Sequence, residues 1–199
     1  MVIVMKRLLK IFILLLFINI NIVKAEEFDI TARNVILYNL NDNSVLYELN
    51  SEERVNIASL TKIMTTIVAI ENISNLDEEV LITREAFVGI SDYSKMGVSV
   101  GNVVTYRDLL YGTMLPSGAD AVNAMAINLS GSVSSFVELM NKKAIDLELN
   151  NTHFDNPIGM DSDNNYSTAK DVSKLLLYAL DNEIFREIFY TKEYRVNAI

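Results

Sequence analysis

The chain has 199 residues, half of them hydrophobic and 22% charged, which is the composition of a folded protein with a core. Its net charge of -9 argues against a nucleic-acid partner, because nucleic-acid-binding proteins cluster Lys and Arg. The chain has no cysteine and a single histidine, His153, so it offers no thiol nucleophile and too few ligands for a zinc site, and we expect no metal or other cofactor.

The first 25 residues are organised like a signal peptide. A basic region around Lys6 and Arg7 precedes the apolar run 11–18, and Val23-Lys24-Ala25 resembles a small-x-small cleavage site. The run is shorter than the roughly 20 apolar residues of a spanning helix, so we favour cleavage over a retained membrane anchor. The sequence therefore predicts an exported, extracytoplasmic protein whose mature region is 26–199.

Turn signals and hydrophobic periodicity predict a hairpin followed mainly by helices. Strands at 34–40 and 44–50 flank a polar turn, and a third short strand is predicted at 78–82. Since a two-stranded hairpin is not stable by itself, we expect the complete sheet to contain further strands. The predicted helices are 59–73, 106–115, 120–129, 132–147, 168–181 and 183–190.

Smaller signals refine this pattern. Thr105 and Ser167 are predicted to be the N-caps of the helices that follow them. The stretch 89–105 is rich in turn residues and is predicted to be irregular, and 152–159 is predicted to be a loop.

Ser59-Leu60-Thr61-Lys62 places a hydroxyl and an amine three residues apart at the start of an apolar helix. Such positions share one helix face, with Cβ atoms roughly 5–6 Å apart, so the amine of Lys62 can reach the Ser59 oxygen. This arrangement suits a serine nucleophile with a lysine base, provided that the pKa of the lysine falls from about 10.4 to about 7. The alternative is chance, because S-x-x-K occurs in many helices.

Ser117 lies in the break between two predicted helices, within Ser117-Gly118-Ala119. A serine at this place either points into a cleft or caps the helix that begins near Asp120. The local sequence leaves both alternatives open.

With these motifs identified, the chain resembles the penicillin-binding, serine-type D-alanyl-D-alanine carboxypeptidases. The resemblance implies an α/β (α+β) fold like that of β-lactamases and transpeptidases, in which an antiparallel sheet is packed by helices beside a helical subdomain, with the sheet incomplete in this chain. It covers nearly all of the mature region. The stretches that carry it are Ile57-Ala58-Ser59-Leu60-Thr61-Lys62-Ile63-Met64-Thr65, Met114-Leu115-Pro116-Ser117-Gly118-Ala119-Asp120-Ala121, Thr152-His153-Phe154-Asp155-Asn156-Pro157-Ile158-Gly159-Met160 and Tyr166-Ser167-Thr168-Ala169-Lys170-Asp171.

The resemblance also implies a substrate and a role for each candidate catalytic residue. Ser59 attacks the bond between the two terminal D-alanines of a peptidoglycan pentapeptide, and Lys62 takes its proton. Ser117 relays a proton to the departing D-alanine. β-Lactams are expected to acylate Ser59 because they mimic the substrate.

Two departures from the family pattern affect these expectations. Ala119 stands where the second motif commonly has Asn, so either Asp120 or Asn123 compensates or the activity is reduced. The third motif, Lys-Thr-Gly, does not occur in the chain. We therefore expect 26–199 to be the N-terminal part of a longer catalytic domain and inactive by itself, and membrane association through a region after Ile199 stays open.

Three other functions compete with this interpretation. A β-lactamase of the same fold is the nearest, and a non-catalytic wall-binding relative with a decayed site is the second. A Ser-His-Asp triad through His153 and Asp155 is disfavoured, because both residues lie in one short loop and no glycine-flanked serine accompanies them.

Overall fold

The computed structural model describes residues 30–196, 198 and 199, in which Ala32–Ile199 pack as one unit. The predicted signal peptide, residues 1–25, lies outside the described residues. Helices and two small antiparallel sheets form this unit, which confirms the predicted α+β class.

Each of the two sheets has two strands. Strand β1 (Val35–Tyr38) pairs with β2 (Val45–Leu49), as the hairpin prediction required. Strand β3 (Glu79–Leu81) pairs with β4 (Val103–Thr105), so the prediction of an irregular stretch at 89–105 is wrong at its end. Strand β3 confirms the strand predicted at 78–82. Strand β4 lies among turn residues and depends on a partner more than 20 residues upstream, so no local pattern indicates it.

All six predicted helices are present, with ends within three residues of the predicted ones. A short 3₁₀ helix, Ala58–Leu60, precedes the first of them. The helices are α1 (Thr61–Asn72), α2 (Tyr106–Met114), α3 (Ala119–Ser130), α4 (Val133–Asp146), α5 (Ala169–Asp181) and α6 (Glu183–Tyr190).

One of the two predicted caps is confirmed and the other is wrong by one residue. Thr105 caps α2 in a capping box with Asp108. Helix α5 is capped by Thr168, whose hydroxyl accepts the Asp171 N–H at 3.0 Å. Ser167 is instead extended, because its backbone pairs with Val55 in an antiparallel bridge.

Helix α1 lies at the centre of the unit. Its first ten residues, 61–70, are all buried, and α2 to α6 pack around it. A helix that is covered on every side takes its polar residues inside with it, and here these include Lys62. The hairpin is the opposite case, since Leu37 and Leu46 are 52% and 61% exposed.

Candidate active site

Ser59 lies in the 3₁₀ helix Ala58–Leu60, just before the first turn of α1, and its side chain is exposed. Ala58 has a left-handed backbone, with φ of 44°, which is uncommon for a residue with a side chain. Strained backbone of this kind persists where the surrounding structure enforces it, and it is frequent beside functional groups.

Lys62 reaches back from the first turn of α1 toward Ser59. Its Nζ lies 3.4 Å from Ser59 Oγ, a long hydrogen bond, and donates a short one of 2.5 Å to the carbonyl oxygen of Ile158. The side chain is only 4% exposed, and burial lowers the pKa of Lys62 to about 8 because the charged form loses water. About a tenth of a lysine with this pKa is a neutral amine at pH 7, far more than for a lysine with the ordinary value, and a general base must be neutral.

Ser117 completes the group of hydroxyl and amine side chains. Its Oγ lies 3.0 Å from Ser59 Oγ, within hydrogen-bond distance, and its backbone is left-handed with φ of 59°. The N-cap position of α3 is occupied by Gly118, so the alternative in which Ser117 caps that helix is wrong. The structure thus brings Ser59, Lys62 and Ser117 together, and their catalytic roles stay predictions.

Position 118, next to Ser117, has no room for a side chain. A Cβ at Gly118 would lie 2.6 Å from the Gly112 carbonyl oxygen and 2.8 Å from Met96 N. The Gly118 N–H donates to the same Gly112 carbonyl at 2.9 Å. The end of α2 and the start of α3 are therefore in direct backbone contact, which fixes the position of the intervening serine.

The loop 156–160 is part of the candidate site, although its residue types predict only a structural loop. Gly159 has φ of +81°, and a Cβ on it would lie 2.0 Å from the Ala58 carbonyl oxygen. The loop therefore packs directly on Ala58, the residue before the candidate nucleophile Ser59. Gly159 was the only available signal, because the carbonyl of Ile158 that binds Lys62 has no signature in the residue type.

The residues suggested to compensate for Ala119 make their hydrogen bonds elsewhere, and Asp120 Oδ2 is buried with no hydrogen-bond partner among the described residues. Ala119 is buried, Asp120 Oδ1 accepts the Met96 N–H at 2.8 Å, and Asn123 donates to the Ala86 carbonyl at 3.2 Å. Within the described part of the chain, neither side chain has a hydrogen bond to Lys62. The Ile158 carbonyl is the acceptor that Lys62 has instead.

His153 is part of the scaffold of its loop. Its Nδ1 donates to the Asn164 carbonyl at 2.6 Å, and its backbone pairs with Tyr166.

Among residues 30–196, 198 and 199, no three His, Cys, Asp or Glu side chains are grouped so that they could hold a metal ion. In the same residues, no helix has the length and apolar character needed to cross a membrane.

Comparison with known proteins shows the family of the chain. The family model of D-alanyl-D-alanine carboxypeptidases matches residues 21–198. The D-alanyl-D-alanine carboxypeptidase of Streptomyces sp. (strain K15) is 39% identical over 165 residues, which are 78% of this chain and 57% of that protein. The carboxypeptidase DacC of Escherichia coli (strain K12) is 35% identical over 185 residues, 88% of this chain and 46% of that protein.

Solved structures of the same kind superpose well on the chain. A point mutant of the Streptomyces K15 DD-transpeptidase has a TM-score of 0.82 and 36% identity, covering 85% of this chain and 69% of that one. Penicillin binding protein 5 from Haemophilus influenzae has a TM-score of 0.72 and 35% identity, covering 76% and 46%. These neighbours confirm the predicted transpeptidase-like fold.

The chain spans about half the length of the two curated relatives described above, 57% of one and 46% of the other. The family match nevertheless covers nearly all of the chain, including the candidate site residues Ser59, Lys62 and Ser117. The chain belongs to the D-alanyl-D-alanine carboxypeptidase family.

Proposed function

We propose that this protein is a serine-type D-alanyl-D-alanine carboxypeptidase that removes the terminal D-alanine from peptidoglycan stem peptides and is acylated by β-lactams. One observation carries the proposal. Ser59 Oγ lies 3.4 Å from the Nζ of a buried lysine whose pKa is lowered to about 8, and 3.0 Å from a second hydroxyl. A nucleophile, a base and a proton relay are the parts that acyl transfer needs.

The first half of the reaction forms an ester. The neutral amine of Lys62 accepts the hydroxyl proton of Ser59, and Ser59 Oγ attacks the carbonyl carbon of the penultimate D-alanine. The resulting oxyanion needs hydrogen-bond donors, and by family resemblance the backbone N–H of Ser59 is one of them. Ser117 then passes a proton to the nitrogen of the departing D-alanine as its C–N bond breaks, and Lys62 returns a proton to Ser117.

The second half releases the shortened peptide. A water molecule attacks the ester carbon, Lys62 accepts the proton of the water, and Ser59 regains its own proton as the ester bond breaks. Because Lys62 must be neutral to start either half, the acylation rate should rise with pH and level off above about pH 8, where the pKa of this amine lies.

Covalent labelling tests the proposal directly. The assay uses the complete product of the gene, because the family resemblance implies a contribution from a Lys-Thr-Gly strand. We expect fluorescent penicillin to label the wild-type protein and to fail with Ser59→Ala, and D-alanine to be released from a pentapeptide ending in D-Ala-D-Ala. A folded wild-type protein without label would favour the non-catalytic wall-binding relative.

Persistence of the label, measured together with nitrocefin hydrolysis, distinguishes a carboxypeptidase from a β-lactamase. A carboxypeptidase keeps the penicillin bound as a slowly hydrolysed ester, whereas a β-lactamase turns over nitrocefin rapidly. The resemblance of the stretches 152–160 and 166–171 to the carboxypeptidases favours the first outcome. We expect persistent label and slow nitrocefin hydrolysis.

The place of action follows from the substrate. Peptidoglycan lies outside the cytoplasmic membrane, so the proposed activity requires export. The signal-peptide pattern of residues 1–25 supports this, with cleavage after Ala25. N-terminal sequencing of the protein from the cell envelope should begin at Glu26, and an N-terminus at Met1 would overturn the cleavage.

A further inference from the structure

The loop 156–160 is attached to α1 through two successive backbone carbonyls. Pro157 O accepts the Thr65 hydroxyl at 2.7 Å, and Ile158 O accepts Lys62 Nζ at 2.5 Å. Lys62 and Thr65 are three residues apart and lie on one face of the helix. Residues 157–159 are all buried and the Ile158 carbonyl lies against Lys62 Nζ, so this segment shields one side of the amine.

Asn156 closes this loop with its side chain. Its Oδ1 accepts the N–H groups of Gly159 and Met160, at 2.9 and 2.8 Å, and its Nδ2 donates to the Met160 carbonyl at 2.9 Å. These bonds join the first residue of the loop to the last two. They take the place of the backbone pairs that a loop outside a sheet lacks.

We propose that Asn156 is a positioning residue for the reaction of Ser59, because it holds the Ile158 carbonyl against Lys62 Nζ. The inference rests on the proposed function, in which Lys62 is the base. A neutral amine has two N–H donors and one lone pair. When one N–H is bound to Ile158 O, the nitrogen is fixed in place and its lone pair can point toward the Ser59 hydroxyl.

No carboxylate takes over this task in the described part of the chain. Asp155 accepts hydrogen bonds from Ser162 and Asn156, and Asp120 on α3 accepts the Met96 N–H. Neither forms an ion pair with Lys62, so its pKa is lowered by burial and not raised by a partner. The burial depends on the loop, and the loop depends on Asn156.

The test measures the pKa of Lys62 by NMR titration of its side chain in the complete protein, with the signal assigned by its loss in Lys62→Gln. In Asn156→Ala the loop opens and water reaches the amine. We therefore expect the pKa to rise by about one unit from the wild-type value. The readout needs no substrate and no turnover.

Asn141→Ala is the matched control. Asn141 is half-buried like Asn156 and also binds the backbone of this region, with Nδ2 donating to Phe154 O at 2.7 Å and Oδ1 accepting Phe154 N–H at 2.9 Å. Its bonds end two residues before the loop that covers Lys62. We expect comparable destabilisation and no change in the Lys62 pKa.

Acylation gives the second readout. A rise in the Lys62 pKa from about 8 to about 9 lowers the neutral fraction at pH 7 about tenfold. Labelling of Asn156→Ala by fluorescent penicillin should slow by at least that factor at pH 7 and recover in part at higher pH. Asn141→Ala should keep the wild-type pH profile.

The possible failures can be told apart. In the first case, the wild-type protein takes the label while Asn156→Ala leaves the Lys62 pKa unchanged, or while Asn141→Ala raises it equally. Either result overturns the role of Asn156 and leaves the proposed function standing. A folded wild-type protein that takes no label overturns the proposed function, and the positioning role with it.

Discussion

Left-handed backbone conformations surround the candidate nucleophile. Ala58, Ser117 and Gly159 have φ of 44°, 59° and 81°. The first two carry side chains, and each such residue costs on the order of 1 kcal/mol or more. Gly159 adopts its conformation without strain and packs against the Ala58 carbonyl. This contact helps to hold Ala58 in its strained conformation.

Gly159→Ala should therefore damage both stability and acylation. The new Cβ would lie 2.0 Å from the Ala58 carbonyl oxygen, and backbone atoms must move to relieve this clash. We expect a loss of about 2–4 kcal/mol in the free energy of unfolding. We also expect penicillin acylation to slow at least tenfold, about 1.4 kcal/mol in barrier, because Ser59 and Lys62 move apart. Urea unfolding and the labelling rate measure the two effects.

Gly131→Ala provides the control for backbone strain without a clash. Gly131 ends α3 with φ of +80°, nearly that of Gly159, but nothing lies within 4 Å of its Cβ position. We expect it to cost about 1 kcal/mol and to leave acylation unchanged. Equal loss of acylation in both variants would contradict the specific contact between Gly159 and Ala58.

At the scale of elements, the helices and strands β1, β2 and β3 could be predicted, and strand β4 could not. Val133, Phe136, Val137 and Met140 recur at helical spacing, so α4 was evident from the sequence alone. Strand β4 has three residues and depends on pairing with β3, which no local pattern encodes. The cap of α5 shifted from Ser167 to Thr168 because Val55 pairs with Ser167 from a distant part of the chain.

Helices α1, α4 and α5 are tied together by a half-buried ion pair with an added hydroxyl. Glu71 on α1 accepts Lys143 Nζ at 2.6 Å and the Tyr178 hydroxyl at 2.5 Å. We expect Glu71→Gln to lower the free energy of unfolding by about 1–2 kcal/mol, because the Lys143 charge loses its partner in a site shielded from water. Urea unfolding at pH 7 measures the loss.

Glu52→Gln tests whether shielding is the cause. Glu52 pairs with Lys170 at a similar distance of 2.5 Å, but the two side chains are 68% and 51% exposed, against 26% and 20% for Glu71 and Lys143. An exposed pair contributes little to stability, so we expect no measurable change in the free energy of unfolding. A loss for Glu52→Gln as large as that for Glu71→Gln would refute the argument from burial.

At the scale of the whole molecule, the sequence could indicate the candidate reactive groups but not their environment. Spacing alone placed Lys62 beside Ser59. It could not place Ile158, which is 96 residues away and contributes a backbone atom. Nor could it show how far burial lowers the pKa of Lys62, because that depends on the helices and the loop that enclose α1. Local pattern therefore predicts the site, and tertiary packing determines its chemistry.

The burial of Lys62 lowers the free energy of unfolding by an amount that depends on pH. Folding lowers the pKa of Lys62 from 10.5 to about 8, so between these values the unfolded chain binds more protons than the folded one. The contribution of Lys62 to stability is most unfavourable below pH 8 and becomes less so as the pH rises toward 10.5. The full difference is on the order of 3 kcal/mol.

Lys62→Met removes the buried charge and keeps an unbranched side chain of similar length. We expect the variant to be more stable than the wild type at pH 7 by about 1–2 kcal/mol, since the loss of the bond to Ile158 O offsets part of the gain. Its advantage should shrink, and even reverse, between pH 8 and 10.5. Thermal unfolding across this range measures the difference, and penicillin labelling should be absent throughout.

Ser59→Ala separates the effect of the charge from the loss of activity. This variant also takes no label, but it retains the Lys62 amine, so its stability should follow the wild-type pH dependence. A constant difference between Lys62→Met and wild type from pH 7 to 10.5 would mean that Lys62 keeps an ordinary pKa in the folded protein. In that case the lysine would be charged at neutral pH, and Ser59 would lack the base that acyl transfer requires.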